Sequence, residues 1–516
     1  MAPVVANLRL TTLPGEVAQV DWGSFGTIRI GRGTRPLSAF VLVLASSQRS
    51  NEEWGARNIG EGGFRHKLAQ RQMKGRAKGA VGVSGSGLAH YGARGRQMKA
   101  MNPSREEKSW WAAFALDVTP LKTLREYRLL YLGQFVSAFG TAISYVVLPW
   151  QMYQLTRSSF YVGLLGVAEF VPMLLLAFVG GALADAVNRR WLVMATEAVM
   201  ASCCGALALN ALAPHPRVGV LFALAALFAA CNALHRPAHE ALTQTLVPSE
   251  QMTAVASLST FRYSFNFIVG PALAGIIAAK FGAATAFVID GTTYVIAFIT
   301  LYLMSPVAAL PDAERPSWQT VKEALRYART RQELLGTYLI DINAMFFGMP
   351  LALFPALAES FGNASVGLLY SMFSFGALLA TLTSGWTNRI HRHGLAITLA
   401  AAIWGLGIVG FGLSHHLWLA LFFLAVAGAA DTVSGIFRMT MWNHTIPEHL
   451  RGRMASIEMI SYTTGPYLGN AEAGLAASLL GLRASVVTGG ALCVVGCVLL
   501  AWWLPRFIAY DARDAA

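Results

Sequence analysis

The fold class predicted is an all-α membrane protein: twelve transmembrane helices in two pseudo-symmetric six-helix halves, behind a mostly disordered N-terminal extension. Three observations predict it. Of 516 residues, 55% are hydrophobic and 13% charged, against about 25% charged in a soluble domain. From Leu129 onward, apolar runs recur with the length of roughly 20 residues that crosses a hydrocarbon core of about 30 Å. Finally, "LVPSEQMTAVAS" at Leu246–Ser257 returns as "TIPEHLRGRMAS" at Thr445–Ser456, 199 positions later, and the same offset lays Gly282 on Gly481 and Gly291 on Gly490.

The N-terminal hundred residues are a different polymer, holding 15 of the 40 Lys and Arg but 5 of the 27 Asp and Glu. Pro14–Arg49 contains three short β-like runs punctuated by Gly and Pro. Its "QVDWG" resembles the opening strands of integrase-type transposase catalytic cores, and that resemblance would make Asp21 the first metal-binding carboxylate. The chain then runs into "RHKLAQRQMKGRAKGAVGVSGSG", basic and Gly-rich, with no core-forming pattern. A lone carboxylate cannot hold the two metal ions of phosphoryl transfer. Residues 1–49 are therefore expected to be a non-functional fragment, from a gene fusion or a misplaced start, and 50–125 a basic linker and pre-membrane segment. Met98 or Met101 is the expected start, and no nucleic-acid partner is expected.

The spans fall near 129–153, 160–184, 191–212, 218–238, 257–279 and 284–304, then 334–358, 364–387, 394–413, 417–439, 455–478 and 484–504. With no water to satisfy peptide groups, each must be helical. The halves are 126–304 and 334–508, separated by a proline-bearing central loop at 305–333 and followed by a tail at 509–516. If the chain starts inside, seventeen Lys and Arg fall on the cytoplasmic side; Arg157, Arg217, Lys280 and Arg483 are the four outside, which places both termini in the cytoplasm. Doubled halves of this kind mark carriers that rock about a central site.

Between the second and third spans, "GGALADAVNRR" sets Gly181, Asp185, Arg189 and Arg190 at G-x-x-x-D-x-x-x-R-R; "SGWTNRIHRH" repeats the spacing in the second half with Ser384, Asn388, Arg389, Arg392 and His393. This loop resembles the signature of the major facilitator superfamily. Two positions depart from it, Ala186 where Arg is usual and Asn188 where Gly is usual. In the fifth span "GPALAG" (Gly270, Pro271, Gly275) is similar to the helix-bend motif of the superfamily's antiporters. "LGQFVSAFGTAISYVVLPWQMYQLTRSSFYVGLL", "ALFPALAESFG", "GALLATLTSGW" and "IPEHLRGRMAS" resemble the branch that includes bacterial enterobactin exporters. The resemblance implies a proton-coupled, monomeric inner-membrane exporter of a siderophore-like or amphipathic small molecule, whose cavity is lined by the first, fourth, seventh and tenth helices.

Charge at membrane depth usually has a functional reason. Glu169, Arg262, Asp290, Asp341, Asp431, Glu458 and Glu472 are the candidates, with Glu197 nearer a span end. Asp341 is the first choice for proton coupling, since a carboxylate in low dielectric can alternate between protonated and charged; Asp431 and Glu169 follow. Cavity candidates are the stripe Gln134, Ser137, Thr141; Arg262 and Asn266 on one face of the fifth span; Asn343; Arg438 on the Asp431 face; and Glu458 with Tyr462. Arg262 is read either as the counter-charge of an anionic or catechol substrate or as a salt-bridge partner of Glu169 or another carboxylate.

Cofactors and metals are expected to be absent. Cys203, Cys204, Cys231, Cys493 and Cys497 all lie in apolar runs, and His235 and His239 mimic a metal pair that Pro237, between them, should disrupt. No phosphate-cradling Gly loop is present, so the chain is read as a carrier and not an enzyme. The alternatives are a multidrug or other solute transporter of the same superfamily, a membrane-tethered nucleic-acid protein, and a non-transporting receptor.

Overall fold

The computed structural model describes residues 8–12, 16–30, 33–46, 116–186, 188–305, 326–327, 329–362, 364–447 and 451–513; for 8–46, 177–186, 451–453 and 455–463 only the backbone course is described. Two compact units divide at Trp110. In the first, strands β1 (Leu8–Thr12), β2 (Glu16–Ile30) and β3 (Gly33–Ser46) form an antiparallel sheet in the order β1-β2-β3. This corrects the expectation of three short runs: β2 and β3 are one long hairpin turning at Ile30–Gly33, with a register shift between Ser24 and Thr27, and Asp21 lies opposite Val41. The rest of the extension, Met98 and Met101 included, lies outside the described residues.

The second unit is helical. A short α1 (Thr119–Thr123) leads into α2 (Arg125–Thr156), α3 (Ser159–Ala186), α4 (Arg189–Leu212), α5 (Val218–Leu246) and α6 (Met252–Tyr302). After the central loop come α7 (Gln332–Phe347), α8 (Phe354–Phe361), α9 (Ser365–Leu382), α10 (His393–Leu413), α11 (Leu417–Thr445), α12 (Arg451–Leu480), α13 (Leu482–Trp503) and α14 (Pro505–Ala509). Ten described segments are long and apolar enough to cross a bilayer. One of them, Ser249–Tyr302, has 54 residues, about 80 Å at 1.5 Å per residue, and so makes two crossings. Together with α12 this gives the twelve spans, α7 and α8 forming the seventh.

The double span turns at Gly282, where φ is 81° and ψ 169°. Its repeat mate Gly481 has φ 91° and ψ 158° at the start of α13. An L-residue in that region costs on the order of 1–3 kcal/mol, so the repeat preserves two glycines that each reverse the chain. Gly291 packs on Cys204 of α4 and Gly490 on the carbonyl of Gly405 in α10, joining equivalent helix pairs of the two halves.

The halves meet at the end of the bundle that carries Arg157. There α3 packs on α12 and α6 on α9. The backbones touch: a Cβ on Gly275 would stand 2.7 Å from the backbone nitrogen of Gly367, and one on Gly163 3.2 Å from the Cα of Gly474. Close approach of this kind is what small residues permit in lipid, where no hydrophobic force drives helices together. Ser371 adds a 2.8 Å bond to the carbonyl of Ile268, and Arg157 pairs with Glu359 across the halves. Large apolar side chains such as Leu209, Trp418, Leu479 and Trp502 stay exposed, as expected where the surrounding solvent is hydrocarbon.

Candidate functional site

Two polar regions emerge, one in each half, and a cavity lies between the halves. In the C-terminal half α7 brings Asp341 against α11, and Arg438 pairs with Asp341 through Nη1 while Nη2 stands 3.6 Å from Asp431 Oδ1. Asp431 and Arg438 lie two turns apart on α11, so one guanidinium fork reaches both carboxylates. Asp341 is 5% exposed, Arg438 11% and Asp431 42%, so the triad is buried at one end and open at the other. Below it Trp442 Nε1 donates to Thr337 Oγ1 at 2.9 Å and stacks on Tyr338, which fixes α7 against α11.

The cavity, of about 300 Å³, lies between the halves and is lined by Thr141, Ser144, Tyr145, Glu169, Asn232, Tyr467 and Asn470 among others. Glu169 also lines a neighbouring recess with Tyr370. No described cation pairs with its carboxylate, and tyrosine rings surround it: Tyr145 meets Tyr370 edge-on at 5.5 Å, and Tyr467 meets Phe170 at 6.4 Å. The Glu169–Arg262 salt bridge considered from sequence is not formed. Arg262 instead stands near Tyr127, Tyr131, His235 and His239, with no described carboxylate in ion-pair range.

In the N-terminal half the stripe on α2 divides. Thr141 reaches the cavity and also shares a 2.6 Å bond with the Tyr294 hydroxyl. Gln134 and Ser137 are buried, and the Gln134 amide donates to Glu197 Oε1 at 2.7 Å. Ser144 donates to Asp290, which also accepts from Cys204 and Thr293. The stripe thus serves as a hydrogen-bonding seam to buried carboxylates on α4 and α6 as much as a cavity wall. Asn266 is fully buried and donates to Phe135 O at 3.1 Å; Asn343 donates to Cys493 O at 2.9 Å and faces α13, away from the cavity.

The side chains of Gly181, Asp185, Glu458 and Tyr462 lie outside the described residues. In the first signature loop Asn188, the departure from the superfamily pattern, is the N-cap of α4: its Oδ1 accepts from Arg190 N at 3.1 Å. Arg190 donates to the carbonyls of Leu301 and Tyr302, capping the end of α6, and Arg189 reaches Thr245. In the second copy a 3-10 helix spans Ser384–Arg389, and Asn388, Arg389 and Arg392 are exposed. Gly270, Pro271 and Gly275 lie in an α6 that stays helical up to Gly282, and pack against Ala142 of α2 and Gly367 of α9. Their visible contribution is close approach.

One premise is corrected. Pro237 does not interrupt its helix: α5 runs through it, and the rings of His235 and His239 stack with centroids 6.0 Å apart. Both ring nitrogens of His235 are hydrogen-bonded, Nδ1 to Thr196 Oγ1 at 3.0 Å and Nε2 to Gln134 Oε1 at 3.2 Å. The partnership of Glu197 with Gln134 and His235 was missed from sequence, because the three residues sit on three different helices. All five cysteines are buried thiols.

Residues 116–515 match the family model described as transmembrane secretion effector. The chain is 28% identical to the enterobactin exporter EntS of Shigella flexneri over 403 residues, 76% of this chain and 94% of that protein. It is likewise 28% identical to the Citrobacter koseri exporter of that name, over 75% of this chain and 94% of the relative. Among solved structures, nucleoside transporter NupG superposes with TM-score 0.60 at 13% identity, over 75% of this chain and 100% of that one. A bacterial homologue of the human lysosomal transporter Spinster gives 0.59 at 16%, over 76% and 98%. The model match over 400 residues, on a bundle of two six-helix halves with a cavity between them, shows that this multi-pass membrane protein belongs to the transmembrane secretion effector family of the major facilitator superfamily, and is a secondary transporter and not an enzyme.

Proposed function

We propose that the chain is a proton-coupled exporter of the inner membrane for a siderophore-like or amphipathic small molecule, working as a monomer with both termini in the cytoplasm. The observation that carries the reading is the Asp341–Arg438–Asp431 triad. Two carboxylates on one guanidinium leave a net charge of −1 when both are ionised, which is costly to carry through a membrane. A proton on either carboxyl neutralises the group. A hydroxyl donor of a catechol, bonded to the open Asp431, stabilises the same charge by hydrogen bonding. Proton and substrate therefore compete for one group, as antiport requires. Arg262, with no described carboxylate partner, supplies a cation for an anionic substrate. The kinship with the enterobactin exporters supports the substrate class.

The arginine excess on one side supports a cytoplasmic location for the Arg190 end, so the seam around Arg157, Gly163 and Gly275 is the outer seal. In this reading the structure is the outward-closed state, loaded from the cytoplasm. A second reading has its own observation: Glu169, without a described cation partner and ringed by tyrosines, suits a lipophilic cation. The test uses a host lacking its own siderophore exporter and expressing the chain from Met101. Gradient-dependent secretion of enterobactin, abolished by a protonophore, is expected. A correctly inserted protein that secretes none, but lowers accumulation of a cationic dye, would replace the first reading with the second.

A further inference from the structure

The buried network around Glu197 is not used by the mechanism above. Glu197 on α4 is 0% exposed. Its Oε1 accepts from Gln134 Nε2 at 2.7 Å and stands 3.7 Å from His235 Nε2, while Oε2 has no hydrogen-bond partner. Gln134 Oε1 lies 3.2 Å from His235 Nε2, and His235 Nδ1 lies 3.0 Å from Thr196 Oγ1. A chain of groups from three helices thus runs Glu197–Gln134–His235–Thr196, and it ends on a hydroxyl that can alternatively donate to the Val193 carbonyl at 2.8 Å.

As the amide stands, the bonds dictate the hydrogens. A carbonyl oxygen only accepts, so His235 carries its hydrogen on Nε2; Nδ1 is bare and takes the Thr196 hydroxyl hydrogen. With Glu197 ionised, its Oε1 accepts the Gln134 amide hydrogen and this first arrangement is complete. Turning the Gln134 amide over gives a second complete arrangement on the same heavy atoms. Protonated Glu197 donates to Gln134 Oε1, Gln134 Nε2 donates to His235 Nε2, His235 Nδ1–H donates to Thr196, and the Thr196 hydrogen goes to Val193 O. The two arrangements differ by one proton.

We infer that Gln134, Glu197, His235 and Thr196 form a proton-binding site of the N-terminal half, which takes up one proton by reversing the Gln134 amide. The balance is complete: a proton from water adds to His235 Nδ1, the resulting imidazolium releases its Nε2 hydrogen to Glu197 Oε1, and neutral imidazole remains. Entry is at His235, the more exposed of the pair at 12%, on the α5 face that continues through Asn232 of the cavity wall. The surrounding charges are defined on every packed element. From α6 come Asp290, Tyr294 and Arg262; α5 adds His239, α4 Cys204, and α2 Thr141. Arg236 and Glu240 pair with each other on the exposed side of α5.

The inference deepens the proton-coupled reading, and rests on it only for its consequence in transport. The test is infrared difference spectroscopy of the purified full-length protein in lipid nanodiscs, titrated with acid and without substrate. A carboxyl C=O band that appears on acidification in wild type, is lost in Glu197→Gln and is kept in Asp341→Asn is the expected result. Gln134→Leu should move the midpoint of that band by at least about one pH unit. Equal bands in wild type and Glu197→Gln would overturn the site. If Glu197→Gln does not yield folded protein, an unmoved midpoint in both Gln134→Leu and His235→Ala overturns it instead. An intact band in a protein that fails to move enterobactin would overturn the substrate reading and leave this site standing.

Discussion

Asp341 and Arg438 form a buried ion pair, and removing one partner from such a pair is destabilising by about 3–5 kcal/mol because the other charge is stranded. Asp341→Asn keeps a hydrogen-bonding shape while removing the charge. It is expected to reach the membrane and to lose gradient-driven secretion at least tenfold; wild-type rates would remove Asp341 from coupling. Arg438→Gln should lower both expression and transport, since it leaves Asp341 and Asp431 facing each other without a cation. Arg262 differs, having no described carboxylate beside it. Arg262→Ala is therefore expected to leave thermal stability within about 1 kcal/mol, while reducing secretion of anionic more than of neutral compounds. Equal losses for both would assign it a structural role.

At the scale of elements, the seam between α6 and α9 offers the sharpest case. Gly275 and Gly367 bring two backbones into contact at what the proposed orientation makes the outer seal. Gly275→Val has no room there, and overpacking of this kind costs about 1–3 kcal/mol. The cost falls on the sealed state, so the variant is expected to populate the outward-open state, read as faster labelling by a membrane-impermeant thiol reagent of a cysteine placed at Ser371. Unchanged labelling would show that the seam does not control opening. Gly275 was legible in the sequence within "GPALAG", but its partner Gly367 was not, because the contact joins residues about 90 positions apart.

For the whole molecule, Arg157 and Glu359 tie the two halves at one end. An exposed ion pair stabilises by roughly 0–1 kcal/mol, so Arg157→Ala alone should barely alter transport. A covalent link is different. Arg157→Cys combined with Glu359→Cys is expected to cross-link on mild oxidation, stop secretion, and recover on reduction; full activity in the oxidised form would exclude separation of the halves at this end. Rocking of two rigid halves is the motion that such a link blocks.

Sequence alone determined the twelve spans, the six-plus-six division and the superfamily, because hydrocarbon leaves a long apolar run no option but a helix and a duplicated half repeats its glycines at a fixed offset. Gly282 and Gly481, paired by that offset, do adopt the same left-handed turn. The candidate site was legible as a list of charged residues at membrane depth and no further. Which of them meet depends on how helices rotate and cross, and nothing in a one-dimensional pattern sets that. Tertiary structure decided that Arg438 serves two carboxylates, that Arg262 does not reach Glu169, that Asn343 faces α13, and that Gln134 belongs to Glu197 and His235. A buried charge states in the sequence that it needs a partner; only the packing of helices far apart in the chain names which one.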